Sequence, residues 1–300
     1  MNARRYSPLP LLLAALAVAL SVDEAGGQQA PGGHASPSFH WPETVMEIPA
    51  ADKLPVPSLE AFLDELKPLG ILDQHIAEFR FEPMEKSSVC LAATVDSSGR
   101  EMFFFYVAVV CPDRQANSFR MTLVESDAPQ VLGTELVDLS GDGIFELISK
   151  ELAGGYQGTQ TLPIYWYSVF RVKNSVPQEV SAEYQRFYGQ LLLPELDFFS
   201  RLLASTCPEA AGATEARAEV RFLRAKYDRK IAGQPRAGFG DAEEWSESNN
   251  PRLQMLAVET FREMAVPEAL IELKKLEKAK DYVVSQAATN AVNAKTDAHR

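Results

Sequence analysis

Histidine is nearly missing from this chain, which has four in 300 residues. His34 and His40 sit in a stretch rich in Gly, Pro, Gln and Ser, and His299 is close to the end, so only His75 lies near a region patterned for folding. A Ser-His-Asp or Cys-His nucleophile, or a His-rich zinc site, has no material here. Cysteine is scarce too. Cys90, Cys111 and Cys207 lack the close spacing of a zinc cluster. Beyond residue 20 no apolar run approaches the ~18 residues of a membrane span, so none is expected in the mature chain. Positive charge is also short: Lys and Arg number 29 against 41 Asp and Glu, a formal net charge of −12. That balance argues against nucleic acid and anionic membrane surfaces as partners.

What is present begins with an export signal. Arg4 and Arg5 precede the apolar run Leu11–Leu20, and small residues follow at Ser21, Ala25 and Gly27. This is the anatomy of a secretory signal peptide over residues 1–27, and it predicts a periplasmic or secreted protein. Residues 28–57 read as a flexible linker. About 270 residues then remain, enough for one large or two smaller cores.

Beyond the linker the hydrophobic period divides the chain. Ser58 opens a short helix with Leu59, Phe62, Leu63 and Leu66 on one stripe. Strands are expected over 88–96, 101–111, 117–125, 130–137, 144–152 and 162–173, the first pair flanking the turn Asp96-Ser97-Ser98-Gly99. After Val180 the period becomes helical. A helix over 182–206 should break or kink at Pro194. Another should run from Thr214 to Ile231, followed by a polar loop over 234–248. Helices then follow near 251–264, 267–279 and 281–295, two of them opened by Pro251 and Pro267. The fold class is therefore α+β, with a β-rich domain over 58–180 and an α-helical domain over 181–300.

The cysteines constrain pairing without settling it. If Asp96 faces Glu101, Cys90 faces Val107 and Cys111 lies four residues beyond. That is roughly 13 Å at strand rise, past the disulfide reach of about 7 Å. A regular hairpin forbids the bond unless a bulge or longer turn shifts the register. Cys207 is the alternative partner.

The segment richest in chemical information is Asp138-Leu139-Ser140-Gly141-Asp142-Gly143-Ile144-Phe145-Glu146-Leu147. Oxygen side chains recur at alternate positions, which lets a loop curl around a hard cation such as Ca²⁺. Gly143 supplies the sharp turn. A solvated acidic turn without an ion is the other reading. Gly154–Gly158 reads as a tight surface loop, because no helix N-terminus follows to face a phosphate. The alternation of Ile164, Trp166, Ser168 and Phe170 against Tyr165, Tyr167, Val169 and Arg171 reads as a strand covered on both faces.

Residues 136–172 resemble the FG-GAP/VCBS repeat group, whose blades carry an Asp-rich, Gly-containing loop between two strands. The resemblance implies a propeller-blade-like or sandwich-like β region and calcium held by Asp138, Ser140, Asp142, the Ile144 carbonyl and Glu146. Ser140 departs from the family's carboxylate or amide, which lowers the charge there. One copy is present, whereas a propeller needs several blades. Residues 251–292 resemble a HEAT-type helical repeat, carried by Arg252–Phe261, Pro267–Leu273 and Asp281–Ala288, with a shift of 31 residues from Ala257 to Ala288. An ordinary helical bundle accounts for the same pattern. Together these resemblances imply an exported, non-enzymatic calcium-binding protein that recognises another protein or scaffolds it. The alternative is a secreted carboxylate-dependent hydrolase with structural calcium.

Overall fold

The computed structural model describes residues 46–49, 76–86, 88–96, 105–113, 118–127, 132–153, 162, 164–207, 209–210 and 212–297. The signal segment, most of the 28–57 linker, the helix from Ser58, His75, the turn at 97–104 and the Gly154–Gly158 loop lie outside these residues.

Two antiparallel sheets precede a layer of helices, so the α+β class holds, and the sheets close neither a propeller nor a sandwich. The first sheet contains β1 (Met46–Pro49), β2 (Ile76–Glu85), β3 (Ser88–Asp96), β4 (Phe105–Asp113) and β5 (Ser118–Ser126) in the order β1-β5-β4-β3-β2. The second runs in chain order through β6 (Leu136–Val137), β7 (Glu146–Leu152), β8 (Tyr165–Lys173) and β9 (Val176–Glu179). Where a strand was expected over 130–137, a four-residue helix α1 (Leu132–Glu135) precedes the two-residue β6. Tertiary contacts override the β-rich composition there: Leu132 is fully buried and its amide donates to Glu78 Oε2 at 3.0 Å.

The register of β3 on β4 resolves the cysteine question. Asp96 pairs with Phe105, not with Glu101, and Leu91 pairs with Val110. The connection is therefore four residues longer than the expected turn at 97–100. Cys90 meets Cys111, the two are bonded, and their Cα atoms are 4.5 Å apart. Cys207 is an exposed free thiol.

After a 3₁₀ turn at Ser181–Glu183 come α2 (Gln185–Gln190) and α3 (Leu192–Ala204). The break falls at Leu191, which lets Pro194 sit in the first turn of α3, where its missing N–H leaves no helical bond unmade. Next are α4 (Ala213–Lys230), α5 (Phe239–Ser246), α6 (Pro251–Glu263), α7 (Pro267–Leu276) and α8 (Tyr282–Asp297). The start of α4 is capped by Gly212, with Thr214 inside the helix. Helix α5 occupies the expected polar loop. It begins at Gly238, whose φ is +80° and whose added Cβ would lie 2.6 Å from Ala225 Cβ, so only glycine fits. Asn250 caps α6 by accepting from the Arg252 amide at 2.9 Å, and Asp281 caps α8 through the Val283 and Val284 amides.

One apolar cluster lies between the sheets, where Met84, Cys90, Ala92, Val107, Val109 and Val124 meet Leu136, Leu147 and Val172. A larger one joins the second sheet to the helices: Ile164, Trp166 and Val169 share it with Tyr188, Leu196, Phe222, Trp245, Leu256, Phe261 and Leu273. Trp166 stacks on Tyr188 at 5.0 Å between ring centroids. The change near residue 180 thus divides strands from helices while the core crosses it. The described residues from Met46 to Asp297 belong to one compact unit.

Candidate functional site

The 138–145 loop is the connection between two paired strands. Leu136 pairs with Leu147 and Val137 with Glu146, so β6 and β7 hold both ends of the loop at adjacent positions. Gly141 and Gly143 take φ of +74° and +81°, the left-handed region that glycine enters without a Cβ clash. The Asp138 carboxylate sits at the centre of the turn. Its Oδ1 accepts from the amides of Gly141 and Asp142 at 2.7 and 3.1 Å, and its Oδ2 from Gly143 at 2.9 Å. Asp142 Oδ1 accepts from the Ile144 amide at 3.0 Å. Those bonds to the charged form hold the Asp142 carboxyl below its ordinary range, first through the Ile144 amide, then through Ser140 and Arg171.

Three of the five expected ligands converge, and they converge on Arg171. Its Nη2 donates to Ser140 Oγ at 3.0 Å and to Asp142 Oδ2 at 3.3 Å. Both Nη2 and Nε reach Glu146 Oε1, the latter at 2.8 Å. Leu147 pairs with Phe170, which puts Glu146 and Arg171 opposite one another on neighbouring strands. Glu146 is fully buried. Its Oε2 accepts from the Leu139 amide at 2.9 Å. Burial alone would pull the Arg171 pKa down, but Glu146 and Asp142 outweigh it and push it up. Asp138 faces the loop amides instead, and Ile144 contributes its N–H to Asp142. Arg171 was missed as a member of this site. The available signal was the one guanidinium in a largely aromatic and apolar strand.

This set does not fit a resident calcium ion while Arg171 is seated. An ion bound to Ser140, Asp142 and Glu146 would need the space the guanidinium fills, beside a charge that cannot be neutralised. Among the described residues no group of three or more His, Cys, Asp or Glu side chains could hold a metal.

A second polar cluster joins the sheet to the helices. Trp166 Nε1 donates to Ser168 Oγ at 3.1 Å, and Ser168 in turn bonds to Glu151 Oε1. Lys226 donates to Glu151 Oε2 at 2.9 Å and pairs with Glu263 at 3.1 Å, and Arg229 pairs with Glu263 at 2.6 Å. The Lys226 ammonium also lies 5.0 Å from the Trp166 ring centroid. A third constellation is the buried Arg252–Glu219 pair. Arg252 donates to the Ala153 carbonyl as well as to Glu219, while Glu219 Oε2 accepts from the Leu162 amide. On β8 Trp166 and Ser168 are buried, whereas on the other face only Val169 is and Tyr165, Tyr167 and Arg171 are half-buried, so the expected cover of both faces is partial.

Glu195 stands apart from these networks. Burial pushes its carboxyl up to about 7 from an ordinary 4.5, and among the described residues nothing hydrogen-bonds its Oε2. The folded state therefore holds a proton that the unfolded chain releases. This contribution to stability is full below pH 4.5 and is lost as the pH rises through about 7. Glu195→Gln should be the more stable protein above that range, by on the order of 2 kcal/mol. The difference should vanish on acidification. Thermal melts of both proteins across the range check this, and parallel curves would contradict it.

No family model, curated protein or solved structure matches the chain.

Proposed function

We propose that the chain is an exported, non-enzymatic interaction module that docks another protein through its 251–295 helices, packed in a HEAT-like stack. The observation that carries the docking side is the exposure of Ile271 on α7 and Tyr282 on α8, at 57% and 66%, within that segment. Large apolar side chains standing in water are what a partner would cover. Export is supported by the Cys90–Cys111 bond, a linkage that persists in oxidising compartments and is rare in the cytosol. Calcium is not required by this reading, since Arg171 and an ion compete for the same oxygens.

The test uses the mature chain as bait in exported extracts, beside the double variant Ile271→Glu, Tyr282→Ser. The variant should lose at least about tenfold in capture, the mark of a central interface contact, while keeping the wild-type melting temperature. Equal capture by both proteins contradicts the proposed face.

A secreted carboxylate-dependent hydrolase is the second reading, favoured by the raised Glu195. Burial is the only cause of that shift, and no second carboxylate contributes to it. Glycoside hydrolysis needs two carboxyl groups roughly 5–9.5 Å apart. Glu195 alone does not supply them.

A further inference from the structure

We propose that Arg171 is the resident cation of the 138–146 loop, an internal replacement for the metal ion that such loops ordinarily enclose. This goes beyond the interaction reading and stands independently of it. Three features carry the inference. The guanidinium Nη2 touches Ser140, Asp142 and Glu146, the oxygens whose alternate spacing marks the loop as a cation cradle. Much of the remaining carboxylate capacity is engaged by the backbone: Asp138 accepts three amides, and Glu146 Oε2 accepts the Leu139 amide. Third, Arg171 is delivered by strand register, opposite Glu146 on β8, and so is fixed by the same sheet that closes the loop.

The chemistry is self-consistent. A carboxylate with no exposed surface needs a compensating charge, and Glu146 side-chain exposure is 0%. Calcium would supply two positive charges but must be captured from solution and desolvated. Arginine supplies one charge that is permanent and covalently tethered. Ser140, where a calcium loop of this type would carry a further carboxylate or amide, adds no charge of its own, so the guanidinium is shared between two carboxylates, Asp142 and Glu146. The loop is then closed whether or not calcium is present.

The experiment is differential melting of the full mature chain in millimolar calcium and in chelator, for wild type, Arg171→Met and Arg171→Lys. Wild type should melt at the same temperature in both. Arg171→Met in chelator should lose on the order of 10 °C, and calcium should restore much of that by entering the vacated cradle. Arg171→Lys should fall between them, because an ammonium keeps the charge but not the fork. A calcium-dependent rise in the wild-type melting temperature overturns the proposal. So does an Arg171→Met protein as stable in chelator as wild type. Calorimetric titration of wild type with calcium reads the same point without any variant: no heat of binding is expected, and a saturable one contradicts the inference.

Discussion

Glu219→Ala should cost about 3–5 kcal/mol, because it strands a buried guanidinium. Arg252 and Glu219 are 4% and 2% exposed. Glu219 Oε1 accepts from Arg252 Nε at 3.2 Å and from Nη2 at 2.9 Å, and its Oε2 accepts from the Leu162 amide at 3.2 Å. Truncation removes all of these at once. Arginine cannot shed its proton to escape, and Arg252 Nη1 has no partner among the described residues even in the intact protein. The Leu162 amide loses its acceptor too. The melting temperature should fall by on the order of 10 °C. The double variant Glu219→Leu, Arg252→Met should recover most of the loss, since it removes both charges and keeps the volume. Chemical denaturation of the three proteins measures it. A loss below about 1 kcal/mol in the single variant would mean that water reaches the pair.

Lys226→Met should cost about 3 kcal/mol near neutral pH. Its ammonium lies between Glu151 and Glu263, two carboxylates contributed by β7 and α6. Burial alone would lower the lysine pKa, but the two carboxylates outweigh that and raise it. Burial alone would likewise raise Glu263, but Lys226 and Arg229 pull it down to about 2. The lowered Glu263 contributes stability in full above its ordinary 4.5 and loses it as the pH falls toward 2. The raised Lys226 contributes in full below its ordinary 10.5 and loses it above. The cost of the substitution should therefore be largest between these values. It should shrink toward about pH 3–4, where the carboxylates freed of the ammonium can protonate. A cost independent of pH would assign the effect to lost packing of the lysine stem on Trp166 rather than to charge.

Local signals were legible and long-range pairings were not. The switch of period at Val180, the proline-led starts of α6 and α7, and the 138–146 connection between strands all rest on residues within a few positions of one another. The Cys90–Cys111 bond depended on whether Asp96 faces Glu101 or Phe105, a choice made by the register of a whole strand. Arg171 lies 25 residues from Glu146 and reaches it only because β7 and β8 are neighbours. The tight connection into β9 uses Asn174 and Ser175, both at positive φ, in place of the usual Asn-Gly. Glu85 steadies that turn by accepting from both amides, and no reading of the local sequence supplies Glu85. Helix α5 was hidden because its start is set by contact between Gly238 and Ala225 on α4, not by a capping side chain.

The loop's cation decides the account most directly. A crystal structure of the mature protein grown in millimolar calcium, with anomalous data to locate the metal, would show it. The expected result is the Arg171 guanidinium seated on Ser140, Asp142 and Glu146 with no anomalous peak between them. A calcium peak about 2.3–2.6 Å from those oxygens, with Arg171 turned away, would contradict it.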